Sequence, residues 1–161
     1  QRPDLLRYVR AGRENLVVLR TFSKAYGLAG LRIGYAMGQP ELIGLLNKVR
    51  QPFNANAMAQ AAATAALDDT THLVESREMV AKGLDYFARE LPRIGVEPVP
   101  SAANFILCKT GEGRRVFEEL QRRKVIVRPM DGYGLPDHIR ITIGTPGQNR
   151  KVLDALKEVV A

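Results

Sequence analysis

One lysine, Lys24, sits among hydroxyl and glycine residues in the run Thr21-Phe22-Ser23-Lys24-Ala25-Tyr26-Gly27-Leu28-Ala29-Gly30-Leu31-Arg32-Ile33-Gly34. A desolvated lysine amine is a nucleophile toward a carbonyl, and a Schiff base is its most direct use. Thr21 and Ser23 add two hydroxyl donors. Arg32, eight positions after the lysine, adds a planar fork of permanent charge. That donor set suits a phosphate. A carbonyl and a phosphate carried by one small molecule point to pyridoxal phosphate.

The elements that must hold this loop can be read from pattern. Leu16-Val17-Val18-Leu19 is an apolar run, so a buried strand over Leu16–Arg20 is expected to deliver the lysine. The glycines let the backbone turn sharply and approach a ligand. Arg32–Met37 reads as a strand leaving the site, with Arg32 in an apolar setting between Leu31 and Ile33. Upstream, Arg2–Arg13 reads as a short helix and turn, with Pro3 at its start and Gly12 at its stop. Downstream, helices are expected over Glu41–Val49, to about Leu67 after Asn54–Ala57, and over Thr71–Leu91, where Leu73, Val80, Leu84 and Phe87 share an apolar side. After Pro92 the texture alternates: strands over Val96–Val99 and Asn104–Cys108, a helix over Gly111–Arg123, a strand over Val125–Arg128, a loop over Asp131–Pro136, a half-buried strand over Ile139–Ile143 and a last helix from Pro146. Strands alternating with helices give a sheet with helices against it.

The run Thr-aromatic-Ser-Lys-small-aromatic-Gly-x-x-Gly with Arg at +8 resembles the lysine signature of the fold-type I pyridoxal-phosphate aminotransferases of class II. Every position of it is matched by Thr21 to Gly34. The chain ending Ile139-Arg140-Ile141-Thr142-Ile143-Gly144-Thr145 is similar to the histidinol-phosphate aminotransferase branch of that family, and the resemblance runs from about Leu16 to the end. It implies an α/β fold: the C-terminal part of a large pyridoxal-phosphate-binding domain over 1–70, a linking helix over 71–91 and a small C-terminal α/β sandwich domain over 92–161. It also implies transamination of histidinol phosphate with 2-oxoglutarate and glutamate as amino-group partner. Alternatives on the same scaffold are a threonine-phosphate decarboxylase and a general amino-acid aminotransferase.

The resemblance implies roles residue by residue. Lys24 is the Schiff-base lysine and the proton shuttle; Thr21, Ser23 and Arg32 hold the cofactor phosphate. Arg140 grips a substrate anion, and Arg128 is its natural second donor, because a phosphate dianion wants two cations. The competing reading of Arg128 is an exposed arginine at a strand end. Asn104 falls where family members carry an asparagine near substrate; it would serve equally well to satisfy a strand-edge turn. Tyr26 and Tyr133 could line the pocket or simply pack, and His72 and His138 lack a metal-ligand partner at useful spacing. The family's aspartate on the pyridine nitrogen and its ring-stacking aromatic belong ahead of this chain. These residues alone are therefore expected neither to bind the cofactor well nor to catalyse.

Composition narrows the classes. The chain has 161 residues, 45% of them hydrophobic and 25% charged, the balance of an ordinary globular protein. Gln1 in place of Met reads as a cut start. No apolar run is long enough to span a bilayer and no signal peptide is visible. The single cysteine, Cys108, lies in an apolar run and reads as a buried thiol in a reducing cytoplasm. The net charge of +7 raises nucleic acid as a partner, but the basic residues are spread, and the one cluster, Arg122-Arg123-Lys124, sits at an expected helix end. The positive balance suits a phosphorylated cofactor and an anionic substrate. The family resemblance further implies a homodimer.

Overall fold

A computed structural model describes residues 4–160. The chain divides into two units between Val74 and Glu75. The first carries α1 (Leu6–Arg10), β1 (Val18–Thr21), β2 (Gly34–Met37), α2 (Pro40–Val49) and α3 (Ala57–Asp68). β1 and β2 pair antiparallel from Val18↔Met37 to Thr21↔Gly34. Asn56 starts α3 by accepting the Ala59 N–H at 2.8 Å on its side-chain oxygen, and Ala59 and Ala63, one turn apart, are its buried side.

α4 (Thr70–Glu90) contains the boundary, and Asp69 caps its start through the His72 N–H at 3.0 Å. The second unit continues with β3 (Glu97–Val99), β4 (Phe105–Lys109), α5 (Gly113–Arg122), β5 (Arg128–Pro129), β6 (His138–Thr142) and α6 (Pro146–Val160). Its sheet is antiparallel in the order β3-β4-β6-β5. The core gathers one sheet face, with Ile106, Cys108, Ile139 and Ile141, against Phe87 of α4, Val116 and Leu120 of α5 and Leu153 and Leu156 of α6. Strand alternation sends Phe105, Leu107, His138 and Arg140 to the opposite face, where each is half-buried. Cys108 lies in the core as expected, and burial pushes its thiol up to about 12.

The turn into α6 is built for rigidity. Thr145 and Gln148 form a reciprocal cap: the Gln148 side-chain oxygen accepts the Thr145 N–H at 2.8 Å and the Thr145 hydroxyl accepts the Gln148 N–H at 3.4 Å. Asn149, buried at 4% exposure, accepts the Gly144 N–H at 2.9 Å and donates to the Gly144 carbonyl at 3.0 Å. α4 packs here through Gly83.

Several expected boundaries move. The strand read over Leu16–Arg20 is shifted to Val18–Thr21, so Thr21 closes the strand. The strand read from Arg32 begins only at Gly34, because Arg32 ends the 3-10 turn Ala29–Leu31 in the left-handed conformation, φ +52°. The strand read over Val125–Arg128 shrinks to Arg128–Pro129: Lys124 turns the chain at φ +59°, and Val125 and Val127 bury their side chains before the β5 ladder begins. Asn104 lies just before β4. Part of the expected Arg2–Arg13 helix, including Pro3, lies outside the described residues.

A Cβ added at Gly83 would sit 2.3 Å from Ile143 Cγ2 and 2.9 Å from Asn149 Nδ2. Gly83→Ala gains about 1 kcal/mol of helix propensity but forces a branched core side chain to move, at about 1–3 kcal/mol. A net loss of about 1 kcal/mol, read as a lower urea midpoint, is the expected outcome.

Candidate active site

The lysine loop is fixed at its base. Phe22, 3% exposed, is held between Tyr26 and Tyr35 at ring separations of 5.0 and 5.5 Å. Its N–H donates to the Ile33 carbonyl at 3.2 Å, and its carbonyl accepts the Leu28 N–H at 3.0 Å. Gly27, at φ +70°, donates to the Lys24 carbonyl at 2.9 Å, so Lys24 rides a tight turn. Where β2 leaves, a Cβ at Gly34 would lie 2.6 Å from the Arg20 carbonyl oxygen, so only glycine lets the two strands close there. Tyr26, half-buried, packs its ring on Phe22.

The residues expected to hold a phosphate lie along this loop. The Thr21 hydroxyl oxygen accepts the Ser23 N–H at 3.1 Å, which leaves the hydroxyl protons of Thr21 and Ser23 to be donated elsewhere. Arg32 is exposed rather than seated among apolar neighbours, and its Nη1 donates to the Ala29 carbonyl at 2.8 Å. A left-handed arginine in a loop that uses glycine freely is costly, of order 1 kcal/mol. Lys24 is exposed, and its ammonium has no hydrogen-bond or ion-pair partner among the described residues. The loop therefore presents one amine, two hydroxyls and a guanidinium with spare donors, a set whose chemistry fits a phosphorylated aldehyde.

The second unit holds a separate cluster. Arg128 of β5 and Arg140 of β6 are direct cross-strand partners, and Arg140 faces Leu107 on its other side. Such partners have Cβ atoms about 5 Å apart on one face, and like charges so placed repel. Neither arginine has a carboxylate partner among the described residues. The Arg140 guanidinium lies over the Phe105 ring at 4.8 Å, and its Nε is buried with no hydrogen-bond partner. Arg128 Nη1 donates to the Tyr133 hydroxyl at 3.3 Å. His138 lies on the same face of β6, at the start of the strand, with a buried Nδ1 that has no hydrogen-bond partner. Asn104 is half-buried, and its backbone carbonyl accepts the Ile143 N–H at 3.0 Å.

The β5–β6 connection that carries Tyr133 is tied down by charge. Arg114 of α5 pairs with Asp131, its Nε donating at 3.1 Å. The hydrogen bond from Arg114 holds the Asp131 carboxyl below its ordinary range and raises Arg114 in turn. The sequence reading missed this pair and the Tyr133 contact; nothing in spacing alone joins Arg114 to Asp131, 17 positions apart.

Comparison with known proteins bears on the whole chain. The family described as aminotransferase class I and II matches residues 4–156. A histidinol-phosphate aminotransferase of Akkermansia muciniphila is 50% identical over 98% of this chain and 43% of its own length. Among solved structures, the histidinol-phosphate aminotransferase of Clostridium acetobutylicum superposes with TM-score 0.89 at 27% identity, over 98% of this chain and 49% of that one. That of Sinorhizobium meliloti, in complex with pyridoxal-5'-phosphate, does so with TM-score 0.83 at 33% identity, over 92% and 42%. The chain thus spans less than half the length of these relatives.

The Asp131 carboxyl is depressed in the folded state, so its pairing stabilises fully above the ordinary carboxylate range near pH 4 and is lost as pH falls through the lowered value. Asp131→Asn should remove that part of the acid sensitivity. Urea midpoints of the two proteins, slightly separated at pH 6, should converge as the pH falls below the ordinary carboxylate range.

Proposed function

The chain belongs to the class I and II aminotransferase family, and we propose that the protein it is part of transfers the amino group of histidinol phosphate to 2-oxoglutarate in histidine biosynthesis. The observation that carries the substrate is the in-register pair of Arg128 and Arg140, two guanidinium groups on one sheet face with no carboxylate between them. That arrangement is unfavourable until an anion of more than one charge arrives. Half-length coverage makes the whole enzyme's activity a reading of its relatives joined to these residues. The remaining walls of the site belong to residues outside this chain: 1–70 is read as part of the large domain, 71–91 as the linking helix and 92–161 as the small domain.

Pyridoxal 5'-phosphate, when bound, supplies an aldehyde for amines to condense with and a ring that takes up the electron pair left on carbon. Thr21, Ser23 and Arg32 would hold its phosphate with hydroxyl and guanidinium donors. Lys24 Nζ would hold the cofactor through its aldehyde and, when freed by the substrate amine, would be the group that moves the proton off the amine-bearing carbon. Its four-carbon stem, rising from a turn closed by Gly27, gives that nitrogen the reach. Walls from the rest of the full-length protein and from a second copy in a homodimer would exclude water from around it.

Arg128 and Arg140 hold the far end of the substrate. A phosphate seated between them would fix the orientation of that end of the substrate. Glutamate, the returning amino donor, uses Arg140 through its carboxylate, and Asn104 contacts the substrate. We place the protein in the cytoplasm, which suits an unpaired thiol at Cys108; among the described residues no helix is long and apolar enough to cross a membrane.

The test uses the full-length protein with histidinol phosphate and 2-oxoglutarate, following glutamate formation. Carbon dioxide release from threonine phosphate, with no glutamate formed from histidinol phosphate, would point instead to a lyase. Lys24→Ala should lower kcat by about 10²–10⁴ or more. Arg128→Ala should raise KM for histidinol phosphate by about 10- to 100-fold, the size of one or two charge-assisted bonds. The 161-residue chain alone should give neither a stable cofactor absorbance band nor turnover; either one would sink the claim that the site needs the remaining length.

A further inference from the structure

We propose that Tyr133 is a phosphate-selectivity residue. Its phenol oxygen holds Arg128 in the clamp, and its own proton is left to donate to the substrate phosphate. The proposal rests on the reading of Arg128 and Arg140 as that clamp.

Tyr133 is 64% exposed, so burial does not explain the residue. Its hydroxyl accepts from Arg128 Nη1 at 3.3 Å. A phenol that accepts this bond still has its O–H to give, and the next acceptor in line is whatever anion the guanidinium holds. The site then offers two guanidinium forks and one hydroxyl to a tetrahedral group. A carboxylate has two oxygens to pair with them. A phosphate monoester presents three, and can use the third donor.

The backbone is arranged to keep the phenol there. β5 and β6 are joined by residues 130–137. Within them the Tyr133 N–H donates to the Met130 carbonyl at 2.9 Å and the Gly134 N–H to the Asp131 carbonyl at 2.9 Å. Gly134 then reverses the chain at φ +75°. The Leu135 N–H returns to Met130 at 3.1 Å, and the Met130 N–H reaches the His138 carbonyl at 3.2 Å. Arg114 pins the same turn from α5 through Asp131. The phenol and Arg128 are therefore set in place before the ligand, which lowers the ordering cost of binding.

The experiment compares histidinol phosphate with histidinol as amino donors to the full-length enzyme. It reports the ratio of their kcat/KM values. Tyr133→Phe keeps the ring and removes only the hydroxyl. The ratio should fall about tenfold, the effect of one hydrogen bond to a charged group, mostly through KM for the phosphorylated substrate. Inorganic phosphate should inhibit the variant correspondingly less. A change that lowers both substrates equally, leaving the ratio intact, would mean a purely structural tyrosine and would overturn the proposal. Arg128→Ala separates the two levels. If it collapses the ratio while Tyr133→Phe does not, Tyr133 alone is wrong. If Arg128→Ala also leaves the ratio intact, the clamp itself fails and the role of Tyr133 with it.

Discussion

The register of β4 on β6 is the constraint from which the placement of Arg128 and Arg140 follows. With Ile106↔Ile141 and Cys108↔Ile139 paired, four apolar side chains enter the core together. The same pairing puts Leu107 opposite Arg140, and β5 then puts Arg128 beside it. A slip of one residue would send Arg140 into the core and Ile141 to solvent. Burying a guanidinium without a partner costs far more than the sheet could recover. The hydrophobic core thus decides where the arginines stand, and selection for an anion site can act on them without disturbing the fold.

The first unit solves a different problem. Its loop must carry an amine and several donors on few residues, and it does so with one buried anchor. Phe22 enters the aromatic cluster while its neighbours Thr21, Ser23 and Lys24 point chemistry outward. Gly34 closes the strands behind it, and Arg32 accepts a left-handed backbone to project its fork. A two-stranded ladder is marginal by itself. Leu19 on β1 is 71% exposed, which is the kind of surface that further strands cover. The chain's share of its relatives' length gives the same picture from an independent direction.

Much of this was legible in the sequence, and the limits have physical causes. The lysine run is local chemistry, so residue order alone revealed it. Helices with strong punctuation were placed within a few residues, because Pro40, Asn56 and Pro146 act on adjacent backbone. β5 was read too long because Val125 and Val127 look like strand residues: burial selected them, and hydrogen bonding did not. Arg32 was read into a strand for a similar reason, since its apolar neighbours hide a left-handed turn. Tyr133 stayed ambiguous, and the Arg114–Asp131 pair went unseen, because each depends on a tertiary approach that no periodicity encodes.

The positive charges of the chain differ in how they are matched. The chain holds 24 lysines and arginines against 17 acids, and many of the acids are already committed. Glu90 is held by Arg89 and Arg93, Glu119 by Arg123 and Arg122, and Asp131 by Arg114, and these hydrogen bonds depress all three carboxyls. These pairs lie on helix surfaces and at the β5–β6 turn, where they contribute little individually. Arg32, Arg128 and Arg140 stand apart from them, without a carboxylate among the described residues. A surface designed only for solubility would intersperse the two signs. Other arginines, Arg13, Arg20 and Arg150 among them, also have no carboxylate partner among the described residues; Arg32 differs in its left-handed backbone, and Arg128 and Arg140 in standing side by side. An anion placed between Arg128 and Arg140 would relieve the repulsion of two like charges paired across the strands.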